Sequence, residues 1–282
     1  MIKSLDYFKS LVQEDDAIPL FEAGLLIAQN ADPQLDLAAI QADVDTLAAR
    51  LRQRLPSDVS SIQKLRMLNH FFYRDLGFAC NTNDYYDPDN SYLHQVLRRR
   101  LGIPISLALI YIELANQIGL EVKGVAFPGH FLMKLSLQSG DIIIDPVNGA
   151  SLSREELEEM LAPYFEKSFE QSEYPSARSI GHFLQTASAR IILTRVLHNL
   201  KAIFGEARNW ERLISVQNYL VALLPGDIAE RRDRGMAYAN YGHPQQALKD
   251  LEEYLEKCAG APDAEQIRNT VAMLRESCKR PN

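Results

Sequence analysis

The densest set of chemistry-bearing side chains lies at residues 79–91, ACNTNDYYDPDNS, where a thiol and two phenols sit among Asn and Asp. Such a run could hold calcium through its oxygens. An EF-hand loop, however, needs Gly at its sixth position and Glu at its twelfth. Counted from Asp87, those places hold Tyr92 and Arg98. Because Asn, Asp and Pro favour turns, the stretch reads as an ordered loop without metal. Other polar groups fall short as well. His70, His94, His182, His198 and His243 show no metal-ligand spacing, and Cys258 and Cys278 are too far apart for a zinc knuckle. Arg98-Arg99-Arg100 could grip phosphate, but the helix end expected there favours cations by itself. The pattern implies no metal and no cofactor.

The chain has 282 residues, 46% hydrophobic and 24% charged, which suits one large soluble domain or two ordinary ones. No apolar run approaches the ~20 residues that span a bilayer. The opening MIKSLDYFKSLVQEDD lacks the apolar core and small-residue cleavage site of a secretory signal. Cys80, Cys258 and Cys278 are an odd, widely spaced set that makes no disulfide framework and fits a reducing cytosol. The net charge of −7 repels a nucleic-acid duplex. The expectation is a cytoplasmic protein with neither nucleic acid nor membrane as partner.

The elements that must position these groups follow from periodicity. Residues 1–78 read as helical. Apolar spacings of three and four predict a helix over 36–55, with Asp36 as N-cap and Pro56 as stop, and a second over 61–76 that ends at Gly77. From Pro104 to Ile118 apolar residues occur on nearly every side, which predicts a buried helix with Pro104 in its first turn and Gly119 as its cap. Three short strands are expected next, over 120–127, 130–137 and 141–146, with Ser139-Gly140 as the turn joining the last two. The second places Phe131, Met133, Leu135 and Leu137 on one face. A weakly apolar stretch near 168–178 then suggests a boundary between units 1–172 and 173–282.

The second unit carries a period of 34. Leu213 and Ala247 are one period apart, as are Phe204 and Tyr238, and Asn209-Trp210 matches His243-Pro244. Gly235, Tyr238, Gly242, Ala247 and Leu251 fall where a tetratricopeptide repeat has its small and aromatic packing residues. A last helix over 263–278, with Asp263 and Gln266 as a capping box, would cover the open end. On the first helix of the second pair Arg232, Met236 and Asn240 share a face, which would line a groove for a peptide or helix.

Three motifs, Gly102-Ile-Pro-Ile-Ser-Leu107, Pro128-Gly-His-Phe131 and Asp145-Pro146, lie in a stretch that closely resembles the bacterial SirB family over roughly residues 60–282. The resemblance implies an α+β, predominantly α fold. It joins a transglutaminase-like core, a buried helix followed by a small antiparallel sheet, to an α-solenoid of tetratricopeptide-like helix pairs. In active transglutaminases a nucleophilic Cys stands at the N-terminus of the buried helix, where the helix dipole and a neighbouring His favour its thiolate. The His comes from a following strand and is oriented by an Asp. His130 and Asp145 match those two positions, and the nucleophile position falls near Pro104. No Cys occurs anywhere from Asn81 to Lys257.

Three readings of the core follow from this resemblance. It is a silent descendant whose His130 and Asp145 serve structure or binding; or Ser106 is the nucleophile of a triad with His130 and Asp145; or Cys80 reaches the site from its loop. Ser106 also suits the first turn of a helix, where its hydroxyl can bond backbone groups. A tight Ser139-Gly140 turn would pair Lys134 with Asp145 and leave His130 about 13 Å along the strand at ~3.3 Å per residue. The favoured expectation is a non-catalytic adaptor or regulatory protein that presents its repeat groove beside a pocket lined by Pro104, Ser106, His130 and Asp145. The alternative is a hydrolase or acyltransferase on a peptide or amide.

Overall fold

The helix that is apolar on nearly every side, α6 (Pro104–Gln117), runs through the centre of the main core, and ten of its residues from Ile105 to Ala115 are buried. A computed structural model of the chain describes residues 4–169 and 180–279. Before α6 come α1 (Ser4–Leu11), α2 (Leu20–Ala31), α3 (Leu37–Arg52), α4 (Ser61–Asn69), β1 (Ala79–Cys80), α5 (Leu93–Arg99) and β2 (Leu101–Gly102). Asp36 caps α3 by accepting from the Ala39 N–H, as its sequence predicts. The helix expected over 61–76 changes pitch instead of running on: α4 ends at Asn69 and continues as a π-helical turn, His70–Asp75. That turn swings Phe71 and Phe72 into the core while Tyr73 keeps a polar task.

After α6 the sheet β3 (Val122–Val125), β4 (Leu132–Leu137) and β5 (Gly140–Ile144) is antiparallel throughout. Phe131, Met133 and Leu135 pack on α6, while Leu132 and Ile143 face α7 (Arg154–Phe169) on the other side. The strands are shorter than expected, and His130 stands in a turn before β4. The two-residue turn is Gln138-Ser139, because Leu137 pairs with Gly140. This moves the β4–β5 register two residues from the one a Ser139-Gly140 turn would give.

The remaining helices are α8 (Ile180–Phe183), α9 (Ala189–Glu206), α10 (Trp210–Leu223), α11 (Ile228–Tyr241), α12 (Pro244–Lys257) and α13 (Ala264–Lys279). Helices α10 and α12 begin one period of 34 apart, at Trp210 and Pro244. Gly235 lies so close to α12 that an added Cβ would come within 2.8 Å of the Leu251 side chain. The boundary expected between residues 172 and 173 lies outside the described residues. The two units interlock: Ile192 and Val196 of α9 join the main core, and Phe8 of α1 and Leu26 of α2 pack with Leu197 of α9 and Tyr219 of α10.

Candidate functional site

Each of the three matched motifs is fixed by a different neighbour. Ser106, the third residue of α6, has 0% exposure. Its Oγ lies 2.5 Å from the Asn90 carbonyl oxygen and 3.0 Å from that of Ile103, and it accepts the Ile103 N–H at 3.1 Å. A hydroxyl has one proton to give, and the shorter distance assigns it to Asn90. Asn90, also 0% exposed, is the hub of the Asn/Asp-rich loop. Its side-chain amide donates to the Asp84 carbonyl at 2.6 Å, and its oxygen accepts from Asn81 at 3.1 Å. The loop is therefore ordered by asparagines that dock it on the start of α6. Pro104 opens that helix, where its missing N–H costs nothing.

The Pro128-Gly-His-Phe131 motif is a turn held from α9. Arg195 Nη1 donates to the carbonyls of His130 at 2.8 Å and Phe127 at 3.1 Å. The His130 side chain is exposed. Among the described residues its ring makes no hydrogen bond or ion pair with Ser106 or Asp145. Continuing the β4–β5 register by one pair sets Asp145 opposite Leu132. His130 is two residues further, roughly 6–7 Å at ~3.3 Å per residue.

Asp145 organises its own loop. Its Oδ1 accepts the Val147 N–H at 2.8 Å, and its carbonyl accepts from Gly149 at 2.8 Å. Asn69 donates to the Gly149 carbonyl at 2.9 Å, Tyr73 to that of Pro146 at 2.9 Å, and the buried Tyr111 hydroxyl to Asn69 at 2.6 Å. Gly149, at φ +74°, is required: a Cβ would stand 2.5 Å from the Tyr73 ring. Sequence reasoning found Asp145 and missed Asn69, Tyr73, Asn90 and Arg195, which come from elements whose local pattern carries no hint of the contact.

Cys80 and Tyr73 are titratable groups that the fold does bring within electrostatic reach of Asp145. Cys80 ends β1, whose parallel pairing of Cys80 with Gly102 carries it beside the start of α6. Burial and the Asp145 carboxylate both push its thiol above the ordinary range. Thiolate nucleophiles need the opposite surroundings, a cation or a helix N-terminus. The same two causes push Tyr73 up. No group of His, Cys, Asp and Glu among the described residues could hold a metal ion.

In the repeats, Arg232 is committed to Asp263 at 2.8 Å, to Asp233, and to the face of the Tyr254 ring. Asp263 thus spends its carboxylate on Arg232 and Tyr254 across the helix stack. Met236 is partly buried against Leu251, Tyr254, Ile267 and Val271. Only Asn240 of the three expected groove residues is exposed.

A sequence model described as the Transglutaminase-like superfamily matches residues 38–198, more than half of the chain, and a Tetratricopeptide repeat model matches residues 200–272. The chain belongs to the transglutaminase-like superfamily. Within it, the chain is 37% identical over 266 residues to a UPF0162 protein of Xylella fastidiosa (strain Temecula1), which spans 93% of this chain and 92% of that one. It is 28% identical to UPF0162 protein YchA of Escherichia coli (strain K12), over 90% of this chain and 92% of that one. It is 27% identical to Protein SirB1 of Salmonella typhimurium, over 90% and 93%. No solved structure matches the chain. The superfamily match takes in Ser106, His130, Asp145 and also Arg195, so the helix that clamps the His130 turn lies within the matched region.

Proposed function

We propose that this chain is a non-catalytic protein-binding factor of the cytosol, in which a degenerate transglutaminase-like core supports a tetratricopeptide-like array. The observation that carries the reading is Ser106: its hydroxyl is buried and spent on Asn90 and Ile103, at the helix end where a nucleophile would stand. Burial and the Asp145 carboxylate both raise the Cys80 thiol, which disfavours its thiolate. Tetratricopeptide repeats generally bind proteins, and Asn240 offers the exposed point of the expected groove. All three cysteines are free, in keeping with a reducing compartment. The competing reading, a hydrolase using Ser106, His130 and Asp145, requires Ser106 to leave its present bonds and His130 to turn inward.

Affinity capture from a cell lysate tests the proposal, with bound proteins quantified for the intact chain and for Asn240→Glu and His130→Ala. A protein depleted by Asn240→Glu and retained by His130→Ala is the expected result. Capture that depends on His130 and is indifferent to Asn240 would contradict it.

A further inference from the structure

The guanidinium that clamps the Pro128-Gly-His-Phe131 turn uses one of its three nitrogens to do so. Both hydrogens of Arg195 Nη1 go to the carbonyls of Phe127 and His130. Among the described residues Nε and Nη2 have no acceptor, and neither is shut away from solvent. Together they form the edge of a guanidinium that grips an oxyanion with two parallel N–H groups. Arg234 shows the same edge in use within this chain. Its Nε and Nη2 hold the two carboxylate oxygens of Asp250 at 2.7 and 2.8 Å.

Arg195 also differs from its counterparts in charge balance. The partly buried guanidiniums of Arg99, Arg190, Arg231, Arg232 and Arg234 each pair with a carboxylate. Arg195 pairs with none among the described residues, although burial pushes its guanidinium down from the ordinary value. The groups that oppose this push are the phenols of Tyr85 and Tyr164, which carry no charge at neutral pH. A desolvated cation without a counter-ion is costly, and a bound anion would supply one. Arg100 lacks a paired carboxylate too, but its guanidinium lies over the Phe78 ring with Nη1 closed to solvent, so that nitrogen is out of a ligand's reach. Around Arg195 the surface is open. Tyr85 and Tyr164 are each 45% exposed, and the guanidinium rests over the Phe131 ring at 5.9 Å. Gly129 makes room for Tyr164, since a Cβ there would come within 1.6 Å of its hydroxyl oxygen.

We propose that Arg195 is a carboxylate-binding site, in which Nε and Nη2 take the carboxylate of a small acid or a peptide chain end side-on, beside the half-exposed rings of Tyr85 and Tyr164. One guanidinium matches one negative charge. The Asp145 carboxylate, in reach of Cys80 as Cys80 is of Tyr85, disfavours a dianion such as a phosphate monoester. The two phenol rings suit an aromatic or apolar body behind the carboxylate. The site requires neither Ser106 nor the repeat groove, so it stands whether or not the core is catalytic and whether or not the repeats bind a protein.

Calorimetric titration of the full chain with benzoate and with N-acetyl-L-phenylalanine tests it, with the carboxamide of each acid as neutral control and phenyl phosphate as the dianion. Saturable binding of at least one acid below about 10 mM is expected, at least about tenfold tighter than its amide, with a shift of the Arg195 Nε–H resonance that follows the same curve. Which acid binds more tightly distinguishes a small acid from a chain end. Arg195→Gln should abolish binding. Because that change also removes the clamp on the turn, a second variant is read beside it. Tyr85→Glu alters an exposed side chain, sets a negative charge near Arg195 and should weaken binding about fivefold or more. The absence of saturable binding by either acid would overturn the proposal and leave water on the guanidinium edge. Equal affinity for acid and amide, undiminished binding in Tyr85→Glu, or tighter binding of phenyl phosphate than of both acids would overturn it too.

Discussion

At Ser106 one hydroxyl ties two segments that are distant in the chain, and its removal should be felt as instability. Ser106→Ala strips the Asn90 carbonyl of its shorter donor in a dry place and frees the Ile103 N–H from one of its acceptors. The expected cost is about 1–3 kcal/mol, read as a lower urea midpoint with unchanged slope. Cys80 provides a second check at this scale. With burial and Asp145 raising its thiol, Cys80 should alkylate more slowly at neutral pH than the exposed Cys278. Asp145→Asn removes the negative charge, favours the thiolate and should move the Cys80 reaction profile to lower pH, measured by mass shift against pH. These residues were partly legible. The three motifs could be found because the resemblance placed them. Asn90 could not be singled out, since nothing among the Asn and Asp of its loop marks the one that reaches α6.

At the scale of elements, the repeat helices are joined by charge as well as by apolar packing. Glu230 of α11 is buried, with His198 Nε2 at 2.9 Å and Lys201 at 2.7 Å, both from α9, and Lys201 also reaches Asp233. Burial pushes the Glu230 carboxyl up, but the hydrogen bonds from His198 and Lys201 outweigh it and hold the group below the ordinary range. A depressed carboxylate contributes stability that is complete above the unfolded value near 4.3 and is lost as pH falls through the folded one. Glu230→Gln should therefore cost about 1–3 kcal/mol at neutral pH and flatten the acid decline of stability below about pH 4.5, measured by urea unfolding at several pH values. The helices themselves were largely readable, because α3, α6 and the 34-residue spacing of α10 and α12 are written in periodicity. The hairpin turn was not. Ser139-Gly140 and Gln138-Ser139 are both acceptable turns, and a shift of two leaves the same side chains on the same face, so patterning cannot choose between them.

Over the whole molecule, helices on either side of the expected boundary share contacts. Arg190 of α9 donates to the Val12 carbonyl at 2.5 Å, pairs with Asp15 and also reaches the Leu223 carbonyl, which joins three parts of the chain. Tyr219 of α10 donates to the Leu26 carbonyl at 3.2 Å and packs on Phe8 with ring centroids 4.8 Å apart. Trp210, the one tryptophan, begins α10. Its fluorescence should lose native signal at the same urea concentration as the far-UV signal of all the helices. Two separated transitions would contradict the interlocked core. This interlocking was invisible in the sequence, where residues 1–78 read only as helical and nothing pointed from them to α9 or α10.

The central claim is that Ser106 is a structural hydroxyl and the core around it is silent. The most direct test is to treat the intact chain with a serine-directed fluorophosphonate and map any adduct by peptide mass spectrometry. The account predicts no adduct at Ser106 in the wild type or in His130→Ala. An adduct at Ser106 that disappears in His130→Ala would contradict it and establish the triad.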